Sequence, residues 1–173
     1  MKRLFTMMIV LIMATGMAWA QNDLNLTFED DSDLANWSHH DEANVYTVEA
    51  WDATAGVDGS GALVFTDAGY TFLVKRPVVA TAGAPYTLSI DIKNPQWETG
   101  NLLNLMVQGL STSAPSVDVV GGSSEFVTYT LSGVADEGTA GYIRLHTLGS
   151  SAAPTVTIDN LVFDDDAALE TPN

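Results

Sequence analysis

Hydrophobic side chains in this chain recur with a period of two, and nowhere is a helical period of 3.6 sustained. Tyr86, Leu88, Ile90 and Ile92 share one parity, while Thr87, Ser89, Asp91 and Lys93 share the other. Successive side chains of an extended strand point to opposite faces, so this segment offers one face to a core and one to water. Leu24, Leu26 and Phe28 repeat the pattern, as do Leu63-Val64-Phe65, Leu103 to Val107, Phe126 to Leu131, Tyr142 to His146 and Val156 to Phe163. Val45-Tyr46-Thr47-Val48 is rich in β-branched and aromatic residues, which suit a pleated surface. Asp58-Gly59-Ser60-Gly61, Ala82-Gly83-Ala84-Pro85, Thr112-Ser113-Ala114-Pro115 and Gly121-Gly122-Ser123-Ser124 separate these runs as turns. About eight to ten short strands without a helix predict an all-β fold, a two-sheet β-sandwich of the jelly-roll type.

The ends are read separately. Lys2 and Arg3, the apolar run Leu4 to Met17 and the small-residue pattern Ala18-Trp19-Ala20 compose a secretory signal peptide over residues 1–20. The expected location is secreted, extracellular or periplasmic. The run is too short for a good membrane span, so no membrane insertion is expected. Residues 21–166 form the sandwich domain, and 167–173 read as a disordered tail. The chain has no cysteine, so packing or a metal must hold the fold in an oxidising compartment.

Charge narrows the partners. There are 22 Asp and Glu against six Lys and Arg, a formal net charge of −16. Beyond the leader the strong bases are Lys75, Arg76, Lys93 and Arg144. Such a surface repels nucleic acid and anionic lipid.

The order of landmarks is informative. Leu26-Thr27-Phe28-Glu29-Asp30 is followed by Trp37-Ser38, then Gly59-Ser60-Gly61-Ala62-Leu63-Val64, Pro85-Tyr86-Thr87-Leu88-Ser89-Ile90 and a closing Val156-Thr157-Ile158-Asp159-Asn160-Leu161-Val162. This order resembles the jelly-roll carbohydrate-binding modules of the galactose-binding-like class, with families four, nine and twenty-two the nearest groups. The resemblance covers residues 23–164. It departs at Phe126, where such modules often have tryptophan, and in lacking the catalytic domain on which they usually ride.

The resemblance implies a structural calcium joining the first and last strands. Its ligands would be the carboxylates of Glu29 and Asp159, with carbonyls near Thr27 and in the turn around Asp58. Calcium takes six to eight hard oxygens, which carboxylates and carbonyls supply together. The ordinary alternative is that these acids are solvated strand ends; the runs Asp30-Asp31-Ser32-Asp33 and Asp164-Asp165-Asp166 are candidates for a second ion, but read more readily as a charged loop and a solvated tail.

A polysaccharide site needs flat apolar faces for sugar C–H surfaces and polar groups for hydroxyls. Trp51 and Trp97 lie in loop-like stretches and are candidate platforms; Tyr86 and Trp37 are assigned to the core. Tyr142, Arg144 and His146 oppose Ile143 and Leu145 and so line one sheet face, which the resemblance makes the concave binding face. Asp91, Lys93 and Gln108 are candidates to join it. Against this, the polar residues simply face water.

An enzyme is the weakest reading. Ser60 lacks the glycine two places earlier that a nucleophile elbow needs, and His39-His40-Asp41 has no third ligand at metal-site spacing. No motif singles out a pair of acids for glycoside cleavage. The expectation is a secreted, non-catalytic carbohydrate-binding module with polysaccharide as partner. The alternative is a structural or adhesion subunit of the cell surface or matrix that self-associates through the same fold.

Overall fold

A computed structural model describes residues 23–39, 47–67, 73–94, 102–119, 122–148 and 155–165. The expected signal peptide and tail lie outside the described residues, as do Tyr46, Tyr70 and Trp97. Eleven strands occur among the described residues: β1 Leu24–Leu26, β2 Ser38–His39, β3 Thr47–Asp52, β4 Ala62–Asp67, β5 Leu73–Val79, β6 Pro85–Asn94, β7 Leu102–Gln108, β8 Ser116–Val119, β9 Ser123–Val134, β10 Ala140–Leu148 and β11 Thr155–Asp164. Two 3-10 turns, Leu34–Asn36 and Val57–Gly59, are the only helical elements among these residues.

The strands form two antiparallel sheets. One has the order β3-β4-β11-β6-β9, with β1 also on β11; the other has the order β2-β5-β10-β7-β8. This is the expected jelly-roll β-sandwich. The alternation in β6 is regular over its whole length, with Tyr86, Leu88, Ile90, Ile92 and Asn94 buried. Leu63, Phe65, Ile158, Leu161 and Phe163 from the same sheet meet Val74, Leu103, Leu105, Val107, Ile143 and Leu145 from the other in one core. Tyr86 and Trp37 are core residues, as assigned from sequence; Tyr86 stacks on Phe163 and Trp37 lies 5.1 Å from the Phe65 ring.

Strand β11 is shared. On one side β4 pairs with Thr155 to Ile158, and β1 takes over from Leu161 to Phe163. On the other side its register with β6 shifts between Asp159 and Val162, and Asn160 adopts a left-handed φ of 47°. Asp159 therefore sits at a bulge where one neighbour ends and the next begins.

Three strands escaped the sequence reading: β2, β5 and β8. Strand β5 contains Pro77, which argues against a strand in a sequence. The structure explains its tolerance. Ala80 N–H donates to Thr139 O at the β10 end of this strand. By alternation Pro77 turns its missing donor away from β10, towards β2, which pairs only with Lys75 and Val74.

Two acidic runs are not simply solvated. Asp33 is buried and takes a fork of hydrogen bonds from Arg76, 2.9 Å from Nε and 2.5 Å from Nη2. Asn36 Nδ2 and Trp37 Nε1 donate to the same carboxylate. Asp165, read as tail, is also buried, and accepts from Thr81 N–H and Oγ1. A buried carboxylate is stable only where donors replace water, and here loop N–H groups and an arginine do so.

Candidate functional site

The outer face of the five-stranded sheet gathers the candidate residues of β10. Its inner face takes Ile143 and Leu145, which turns Tyr142, Arg144 and His146 outward. Register places Gln108 opposite Tyr142, Met106 opposite Arg144 and Asn104 opposite His146 on β7. On the other flank Pro77, Lys75 and Leu73 of β5 stand opposite the same three residues. Asp118 of β8 closes the row beside Asn104.

This face is polar yet partly withdrawn from water. Asn104 is only 8% exposed although it points away from the core, and Arg144, His146 and Gln108 are intermediate. Arg144 Nη1 donates to Gln108 Oε1 at 3.1 Å, while its Nε is buried without an acceptor. Burial pulls the Arg144 guanidinium below its usual value, although arginine remains a cation. Asn104 Nδ2 donates to Asp118 Oδ1, and its own Oδ1 is buried without a donor. Tyr142 is 41% exposed, and Lys75 Nζ lies 4.8 Å from its ring centroid. The exposed Tyr142 ring beside half-buried polar side chains is the combination of apolar face and polar groups that a sugar-gripping surface requires.

Three sequence candidates lie elsewhere, on the other sheet. Asp91 is on the outer face of the other sheet, where Thr128 Oγ1 and Asn160 Nδ2 donate to it. Lys93 shares that face, donating to Ala55 O and lying over Phe126. Trp51 is in strand β3, not a loop. It packs against the core, and its Nε1 donates to Phe28 O at 2.7 Å. The loop position expected for Trp51 is thus corrected to a strand, with its ring partly buried and its N–H already engaged. Trp97 lies outside the described residues. Lys75, Asn104 and Asp118 were missed. Asn104 shares parity with Met106 and Gln108, which was the available signal; Lys75 was hidden because β5 was not recognised.

Of the residues implied for calcium, Asp159 sits at the β11 bulge with the Val57–Gly59 turn against it. Asp159 is fully buried, and its Oδ2 accepts from Val57 N–H at 2.8 Å and Ser60 Oγ at 3.0 Å. Its Oδ1 accepts from Asn160 N–H. Gly56 and Gly61 let the backbones close here: a Cβ on Gly56 would stand 2.7 Å from Asp159 Oδ2, and one on Gly61 would stand 2.2 Å from Phe28 O. Phe28 and Asp58 both adopt left-handed φ, near 50° and 55°. Glu29 and Thr27 are exposed and line an open pocket of about 200 Å³ with Asn25, Asp30 and Asp33. Among the described residues no group of three or more His, Cys, Asp or Glu converges. A cation at Asp159 would meet one buried carboxylate, whose oxygens already accept from Val57 N–H, Ser60 Oγ and Asn160 N–H.

No protein-family model matches the chain, and no curated protein sequence matches it. Solved structures do. The CBM22-1 and GH10 modules of Clostridium thermocellum xylanase 10B, complexed with xylohexaose, align at TM-score 0.55 and 18% identity, over 84% of this chain and 29% of that one. The CBM22-1 xylan-binding domain of Paenibacillus barcinonensis Xyn10C aligns at TM-score 0.59 and 13% identity, over 84% and 95%. TmCBM61, in complex with β-1,4-galactotriose, aligns at TM-score 0.55 and 17% identity, over 81% and 98%. The chain therefore has the jelly-roll fold found in carbohydrate-binding modules. It spans less than a third of the xylanase structure.

Proposed function

We propose that this protein is an exported, non-catalytic carbohydrate-binding module that grips a polysaccharide on the outer face of its five-stranded sheet. The observation that carries the reading is the β10 row, where exposed Tyr142 adjoins half-buried Arg144 and Gln108 and the shielded Asn104. The likeness to modules whose structures contain xylohexaose or galactotriose supports it. One acid, Asp118, stands on this face among the described residues, and Asn104 engages it; glycoside cleavage normally uses two carboxyl groups.

A structural calcium at the β11 bulge belongs to the same proposal. Buried Asp159 and the tightly closed Val57–Gly59 turn support it.

A sugar ring laid on Tyr142 would hide on the order of 100 Å², worth about 2–3 kcal/mol before the costs of association. Titrating the protein with xylan, mixed-linked β-glucan, galactan and polyuronates, alongside Tyr142→Ala and Gln108→Ala, tests the reading. Binding weakened by both substitutions is expected; binding indifferent to both would move the site off this face.

A further inference from the structure

The four strong bases beyond residue 20 have unequal fates. In a chain with 22 acids and a net charge of −16, a cation without an acidic partner needs an explanation. Arg76 spends its fork on Asp33. Lys93 gives its ammonium to Ala55 O on the other sheet. Lys75 and Arg144 remain. They are direct register partners on β5 and β10, facing the same way. Arg144 has the neutral Gln108 as its acceptor and an unsatisfied Nε, and Lys75 lies over the Tyr142 ring.

Like charges directly opposite each other in a sheet repel, and partial burial of Arg144 strengthens the penalty. The acid on this face, Asp118, sits two strands away from β10, about 10 Å at ordinary strand spacing, and is already engaged by Asn104. The fold thus holds two neighbouring cations on a withdrawn surface without a carboxylate of its own between them among the described residues. A guanidinium and an ammonium side by side match a planar or tetrahedral anion.

We infer that the ligand of this face is an anionic polysaccharide, with a carboxylate or sulfate group seated between Lys75 and Arg144 and its ring beside Tyr142. This rests on the carbohydrate-binding reading above and names the substrate class within it.

Calorimetric titration at about physiological ionic strength tests it. The polymers are polygalacturonate, alginate, a sulfated galactan, carboxyl-reduced polygalacturonate, xylan and mixed-linked β-glucan. Binding to a uronate or sulfated polymer is expected, with Kd raised about tenfold or more by Lys75→Gln and by Arg144→Gln. If the polymer bound is polygalacturonate, its carboxyl-reduced form should bind at least about tenfold more weakly. Preference between uronate and sulfate identifies the source of the anion. Binding confined to the neutral polymers would overturn the inference while leaving the carbohydrate-binding reading standing. No binding of any polymer by folded protein would overturn both. Should a variant fail to fold, the comparison of charged with neutral polymers needs only the parent protein.

Discussion

The Asp33–Arg76 pair should be a main lock on the loop between β1 and β2. Asp33 receives four donors: Arg76 Nε and Nη2, Asn36 Nδ2 at 2.8 Å and Trp37 Nε1 at 3.1 Å. Both paired side chains are 8% exposed. Asp33→Ala would leave the guanidinium buried with Pro77 O as its remaining acceptor. Removing one partner of such a pair costs about 3–5 kcal/mol, because the other charge is stranded. For a domain of this size that corresponds to a fall in Tm of about 10 °C. Urea unfolding followed by tryptophan fluorescence would measure it, since Trp37 is itself a donor to Asp33. The double variant Asp33→Ala, Arg76→Met removes the stranded charge and should recover at least about half of the loss. A single-variant loss below about 1 kcal/mol, or a double variant no more stable than the single, would refute the reasoning.

Two further substitutions probe the fold. Gly133 stands opposite Tyr86, and a Cβ there would come within 2.5 Å of the tyrosine hydroxyl and 2.6 Å of its ring. Gly133→Ala should therefore destabilise by about 1–3 kcal/mol, the usual range for overpacking, and an unchanged urea midpoint would show that the buried ring can yield. Asp159→Ala would strip Val57 N–H and Ser60 Oγ of their shared acceptor. Its Tm should fall below the parent's in calcium; a Tm equal to the parent's in both calcium and chelator would remove Asp159 from any stabilising role, and a parent Tm indifferent to chelator would remove the ion.

Strands with one wet and one dry face were legible in the sequence because alternation is visible in the order of residues alone. Strand β6 was read nearly residue for residue for that reason. Strand β5 was not, since Leu73 to Val79 carries a proline whose tolerance depends on how short β2 is. The row Tyr142, Arg144 and His146 was legible, because parity fixes which side chains of one strand share a face. What sequence could not supply was which strands lie side by side. Asp91 has suitable chemistry but belongs to the other sheet, and Lys75 joins the site only through the register of β5 with β10. Burial of single acids was hidden for a related reason. Asp33 and Asp165 sit in runs that look solvated, and only the fold shows that Arg76 and Thr81 reach them.

The most direct test of the central claim is affinity electrophoresis of the protein in native gels containing each polysaccharide, with Tyr142→Ala run beside the parent. Retardation of the parent by at least one polymer, lost in a Tyr142→Ala variant of unchanged circular dichroism, is the predicted result. Folded parent that migrates unretarded through every polymer, or retardation untouched by Tyr142→Ala, would contradict the assignment of polysaccharide binding to this sheet face.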